Sequence, residues 1–114
     1  MNVQEIIALT NARVVAGNDT HTGEILRAYS SDLMSDVLTL DTDQLLLISG
    51  LANVQLIRTA EMAEITAILL VRGKKTTPDM IDMADKAGLV ILESPFSLFR
   101  ASGVLFTNGL CPVY

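Results

Sequence analysis

Two blocks of aliphatic residues, Leu45–Ile48 and Ile65–Val71, constrain this chain more than any other feature. Neither alternates polar with apolar positions, so neither fits a sheet that shows one face to water. Strands that are apolar on both faces belong to sheets covered by helices on both sides. The segments between and around the two blocks carry helical periodicity and helix punctuation, and their order decides the fold class.

Val3–Leu9 reads as a short amphipathic helix with Val3, Ile6 and Ile7 at helical spacing. Arg13–Ala16 is a brief strand run ended by Gly17-Asn18, and Asn18–Gly23 is loop by composition. Ile25–Tyr29 reads as a strand. Ser31 then reads as the N-cap of a helix burying Leu33, Met34, Val37 and Leu38, with Asp32 in a first turn whose dipole favours negative charge. After the strand Leu45–Ser49 and Gly50, Asn53 caps a helix reaching about Ala63, with Leu56, Ile57, Ala60 and Ala63 inward. Ile65–Val71 is the next strand. Thr77-Pro78 opens a helix that turns Met80, Ala84 and Ala87 inward and stops at Gly88. Leu89–Leu92 is another strand. Ser94-Pro95 repeats the cap-and-proline device, starting a helix with Phe96 and Phe99 that Gly103 ends, and Val104–Phe106 is a last short strand. The alternation predicts one three-layer α/β/α domain over residues 1–114 with a mainly parallel central sheet.

Charge and composition exclude several function classes. The net charge is −5, and the 8 Lys and Arg residues are scattered. Nucleic-acid binding needs a basic footprint, and a membrane-surface helix needs a basic polar face; neither is present. The apolar blocks fall well short of the ~20 residues that cross a bilayer. The start, MNVQEIIALT, lacks a basic region and places Glu5 inside its apolar part, unlike a secretion signal. The lone cysteine, Cys111, fits a reducing compartment, so the chain is expected in the cytoplasm. Charged residues make up 18% and hydrophobic ones 50%, against about 25% charged in typical domains. So apolar a small domain is expected to leave an exposed patch, and such patches mark partner interfaces. A homodimer is the expectation, ahead of a soluble monomer with an apolar ligand groove, and a protein partner encoded nearby is a further expectation.

The chemistry-bearing residues do not assemble into a catalytic set. Arg72-Gly73-Lys74-Lys75-Thr76 follows a strand as a phosphate-binding loop would, but that motif needs a glycine where Ile68 stands. His21 is the only histidine and sits among Asp, Thr and Gly, as a solvated turn residue would. One His and one Cys cannot supply a structural zinc site, and Asp41 with Asp43 serve as turn residues as readily as magnesium ligands. Asp32 and Asp36 stand at i, i+4, a like-charge spacing that costs a few tenths of a kcal/mol unless an arginine answers it. They are candidate interface residues, together with Arg58 on the following helix. In a parallel sheet, loops leaving the carboxyl ends of the strands converge where ligands bind. Here those loops carry Ser31, Gly50 with Asn53, Arg72-Gly73-Lys74 and Ser94. Helix N-termini and two cations at that edge suit a small anion such as a nucleotide. No metal and no catalytic residue is assigned.

The run Tyr29-Ser30-Ser31-Asp32-Leu33-Met34-Ser35-Asp36-Val37-Leu38 resembles the "SDLMSDVL" signature of stand-alone DRTGG-domain proteins. Ser49-Gly50-Leu51, Gln55 to Met62, Val71-Arg72-Gly73-Lys74 and Ser97-Leu98-Phe99 extend the resemblance over about residues 12 to 110. The literal motif is absent, with only Asp19-Thr20-His21-Thr22-Gly23 in its place. The resemblance implies a domain similar to the N-terminal domains of HPr kinase/phosphorylase and of Mur ligases. Related modules accompany phosphotransacetylase or sit between CBS domains in pyrophosphatases, as accessory and dimerising units. It implies a non-catalytic regulatory module, since the kinase phosphate loop belongs to a separate domain, and it carries over no catalytic residue.

Overall fold

The computed structural model describes residues 1–17 and 23–114, so the readings made of His21 and of residues 18–22 lie outside the described residues. The chain runs α1 (Val3–Thr10), β1 (Arg13–Ala16), β2 (Arg27–Ser30), α2 (Met34–Val37), β3 (Leu45–Ser49), α3 (Val54–Met62), β4 (Ala67–Leu70), α4 (Pro78–Ala87), β5 (Val90–Glu93), α5 (Leu98–Thr107) and β6 (Cys111–Pro112). The strands form one six-stranded sheet in the order β1-β5-β4-β3-β2-β6. All neighbours are parallel except the edge strand β1, which runs antiparallel to β5 with Arg13 opposite Glu93.

The topology places the helices. From β2 through β3 and β4 to β5 the chain steps across the sheet in one direction, with α2, α3 and α4 as crossovers. Crossovers of one hand that step the same way must lie on the same face. Met34, Val37, Leu56, Ile57, Ala60, Met80 and Ala84 accordingly pack on Leu45, Leu47, Ile68, Leu70 and Ile91. From β5 the chain returns through α5 to β6 at the far edge, a step in the opposite direction. That puts α5 on the other face beside α1, where Val3, Ile6, Ala101 and Leu105 cover Leu46, Ile48, Leu69, Val90 and Leu92. The alternation explains why β3 and β4 read as unbroken apolar runs: each residue faces one covered side or the other, and all of them are buried. The domain is three-layered, as its sequence predicts.

Local chemistry sets most helix ends. Asn2 and Glu5 form a reciprocal capping box on α1. Asn53 and Thr77 accept from the third backbone N–H of α3 and α4, and Gly88 closes α4 in the left-handed conformation.

Several sequence readings are corrected. The residue ahead of α2 is Leu33, with no side-chain cap, and the Ser31 hydroxyl instead accepts from the Leu33 N–H at 2.9 Å in a local turn. Leu33 and Leu38 are exposed, because α2 is one short turn that buries only Met34 and Val37. The last helix is capped by Ser97, not Ser94, and runs through Gly103 to Thr107. Val104–Phe106 is therefore helix, and Phe99 points to solvent, 89% exposed. The closing strand is β6, two residues paired with Arg27 and Ala28.

Candidate functional site

The carboxyl ends of β2, β3, β4 and β5 deliver their loops to one edge, and two carboxylates organise it. Asp32, in the turn after β2, accepts from the Ser49 hydroxyl at 2.8 Å and from the Gly50 N–H at 2.7 Å. Asp32 therefore ties the β2 loop to the β3 loop. It lies ahead of α2, so Asp32 and Asp36 do not share a helix face as their spacing suggests. A Cβ at Gly50 would stand 3.6 Å from Asp32 Oδ2 and 3.7 Å from Arg72 Nε. Those are ordinary van der Waals separations, so a carboxylate and a guanidinium flank this backbone from two neighbouring loops.

Glu93 is the second organiser, buried at the end of β5 with 6% exposure. It accepts from the Thr76 N–H and hydroxyl, both at 2.8 Å, and from Arg13 at 3.0 Å, with Lys75 at 3.6 Å. Burial alone would raise its pKa. The two Thr76 donors, then Arg13, outweigh burial and hold the carboxyl below its ordinary range. Lys75 and Thr76 are thus turned onto Glu93, and α4 starts only at Pro78, an arrangement unlike a phosphate-binding loop. Arg72 adopts the left-handed backbone conformation, φ 61, and Gly73 follows at φ 66. Their N–H groups donate to the carbonyls of Phe96 and Ser94, at 2.7 and 3.1 Å, so the β4 loop is stitched to the entry of α5. Such a conformation costs a non-glycine residue roughly 1–2 kcal/mol.

Of the sequence-predicted ligand residues, Gly50, Arg72 and Gly73 meet at this edge, next to Asp32. Ser31 pairs its N–H with the Ile48 carbonyl at 3.0 Å, while Asn53 is engaged as the α3 cap. Lys74 is half-buried in the same loop. Ser94 is turned inward, 1% exposed, and its hydroxyl donates to the Thr10 carbonyl at 2.6 Å. Of the predicted interface residues, Asp36 is exposed on α2 and Arg58 on α3. Partial burial first, then the charges of Asp36 and Tyr114, push the Tyr29 phenol above its ordinary value.

The structure locates the exposed apolar surface that the composition leads one to expect and that sequence reasoning did not place. A groove of about 440 Å³ opens between α5, β2, β6 and the C-terminal residues. Ala28, Ile48 and Leu110 line it together with Tyr29, Phe99 and Phe106, and no charged side chain takes part. It exists because the return through α5 leaves the β2–β6 end of that face without a second covering helix. The signal was present in the sequence: Ala101 and Leu105 define an inner helix face, and Phe99 with Phe106 fall opposite it once the helix continues past Gly103. Among the described residues no group of three or more His, Cys, Asp or Glu is placed to hold a metal ion. No described helix is long and apolar enough to cross a membrane.

The sequence matches no protein-family profile and no curated protein. The fold matches the crystal structure of the CBS and DRTGG domains from the regulatory region of the Clostridium perfringens pyrophosphatase, solved with its activator diadenosine tetraphosphate. The TM-score is 0.75 at 13% identity, over 98% of this chain and 48% of that one. The chain spans about half the length of that structure. At this identity the likeness is one of fold, and the chain is DRTGG-like in architecture.

Proposed function

We propose that this chain is a non-catalytic regulatory module that works as a homodimer in the cytoplasm, where an exposed thiol such as Cys111 stays reduced. The observation that carries the reading is the apolar, aromatic-rimmed groove on a domain whose polar edge is occupied with itself. Asp32 Oδ1 and the Glu93 carboxylate are engaged by the loops they tie together, which supports a structural role for both carboxylates at the sheet edge. The shared fold with the regulatory region of a pyrophosphatase supports a regulatory role. Sedimentation at increasing concentration tests it: a dimer in the micromolar range is expected, and a monomer throughout rejects it.

A second reading, nucleotide or small-anion sensing at the carboxyl edge, has one specific observation in its favour. Arg72 reaches over Gly50 and makes no ion pair among the described residues. The pyrophosphatase region that shares the fold was solved with a nucleotide activator. Against it stands Asp32, whose charge opposes an incoming phosphate at the same spot. A nucleotide present at ~100 times its Kd adds about 2.7 kcal/mol of stability. Thermal melting against a nucleotide panel reads this directly. The reading requires a shift in the wild type that Arg72→Gln abolishes.

A further inference from the structure

The homodimer reading does not say which surface makes the pair. Resting on that reading, we infer that the second copy docks on the α5–β6 face, with Phe99 and Phe106 of each copy seated in the groove of the other.

The distribution of aromatic residues comes first. The chain has three Phe, two Tyr and no Trp. None of the five is among the largest fully buried side chains, which are all Ile, Leu and Met. Four line the groove, and three of those stand well out into solvent: Phe99 at 89%, Phe106 at 65% and Tyr114 at 86% exposure. With no aromatic ring among the largest fully buried side chains, and four of the five around one groove, the chain departs from the ordinary burial preference of Phe. The arrangement matches the enrichment of aromatics at interface centres.

Helix α5 repeats the point. Ala101 and Leu105 seat it on the sheet, while Phe99, Gly103 and Phe106, spaced by four and three, form an opposite stripe. A helix apolar on two faces is a helix meant to be covered twice. Gly103 sits mid-helix, and a Cβ there would meet nothing within 4 Å. Nothing within the monomer requires glycine at this place, and it weakens the helix by roughly 1 kcal/mol relative to alanine. A close-approaching backbone from outside does explain it.

The choice of a second copy over another partner follows from shape and charge. A two-fold interface needs one patch that is complementary to itself. Here the protruding Phe99 and Phe106 and the groove of about 440 Å³ lie side by side on the same face. The protein carries a net charge of −5, yet no charged side chain lines this groove, so the acidic side chains of two copies stay clear of the contact. A basic partner would find nothing to pair with. Sheet extension is disfavoured, because the neighbouring edge is β6, two residues long and ending in Pro112. In area, about 200 Å² for a fully exposed aromatic side chain makes the three exposed rings worth roughly 1,000 Å² in a symmetric pair. Specific interfaces start at about 1,200 Å² in total, so the aliphatic groove floor has little left to supply.

The test uses the full chain and three variants, each checked for native circular dichroism. Phe99→Glu and Phe106→Glu alter side chains outside the core and should weaken dimerisation by about 30-fold or more each, the range of an interface hot spot. Met62→Glu, at a site 72% exposed on α3 in the opposite layer, should leave the dimer intact. Cys111 provides a second readout, since it lines the groove and is the only thiol. Its alkylation by N-ethylmaleimide should run several-fold slower in the wild-type dimer than in Phe99→Glu. If the wild type is a dimer that survives both Phe variants, or that Met62→Glu dissociates, the docking face is wrong while the homodimer reading stands. If Phe99→Glu dissociates the pair but Cys111 reacts equally fast in both, the copies do not seat in the groove. A monomeric wild type overturns both.

Discussion

The two faces of the sheet are finished to different degrees. Three helices, α2 to α4, cover one face, and the residues beneath them are enclosed. Two helices, α1 and α5, cover the other, and the β2–β6 end remains open under a rim of aromatic rings. The difference follows from chain direction, since three crossovers step one way across the sheet and only one returns. The lesson is that a chain can be apolar enough for two complete faces and still finish only one of them. The hydrophobic surplus in its composition then appears as a surface, not as a larger core.

The largest expected effect separates the two faces within one strand. Leu47 and Ile48 are adjacent in β3, both buried, facing the three-helix and two-helix layers respectively. Leu47→Ala should cost about 2–5 kcal/mol, because the surrounding helices cannot close the cavity. Ile48→Ala should fall at or below the lower end of that range, because Ile48 also lines the groove and water can enter the space. Urea unfolding of both variants as monomers checks this, and equal costs would break the comparison.

Next in size is Glu93→Gln, which tests the polar edge against the aromatic face. Losing the charge that answers Arg13 and Thr76 should cost about 1–3 kcal/mol without changing association. The pH dependence has a definite sign. The folded-state pKa of Glu93 lies below the ordinary value of 4.5, so the unfolded chain takes up the proton more readily. The contribution is complete above pH 4.5 and is lost as the pH falls from there through the depressed folded value. Wild type minus Glu93→Gln stability, followed by urea titration between neutral pH and that acid range, should shrink towards the acid end. A difference that stays constant would remove Glu93 from the account.

The smallest effect is a gain. Gly103→Ala should stabilise the monomer by about 0.5–1 kcal/mol, since the added methyl group meets nothing and the helix loses a flexible residue. Thermal melting under dilute conditions reads it. A loss of stability would mean that the α5 surface is packed in the monomer after all.

Much of the scaffold was legible because its causes are local. Asn53, Thr77-Pro78 and Gly88 act within one helical turn, and each does what its chemistry suggests. The errors fall where two local signals compete. Ser94 and Ser97 both resemble caps, and the choice is made by the Thr10 carbonyl, 84 positions away, which engages the Ser94 hydroxyl. With Ser94 in the interior, Ser97 takes the cap, and α5 continues past Gly103 with Phe99 on its exposed side. At the candidate site, Arg72 and Gly50 were legible as loop residues at strand ends. Their meeting with Asp32 was not, because the carboxylate belongs to a turn that reads as the first turn of a helix.

By itself, the amino-acid sequence determined that this protein is a helix-covered, mainly parallel sheet, because unbroken aliphatic strands have no other stable environment in water. It also determined that some apolar surface would remain, because composition fixes how much there is to bury. Only the tertiary structure decided where that surface lies. Its position depends on the return of α5 across the sheet and on a buried hydroxyl bonded across 84 positions of chain, and no local pattern encodes either.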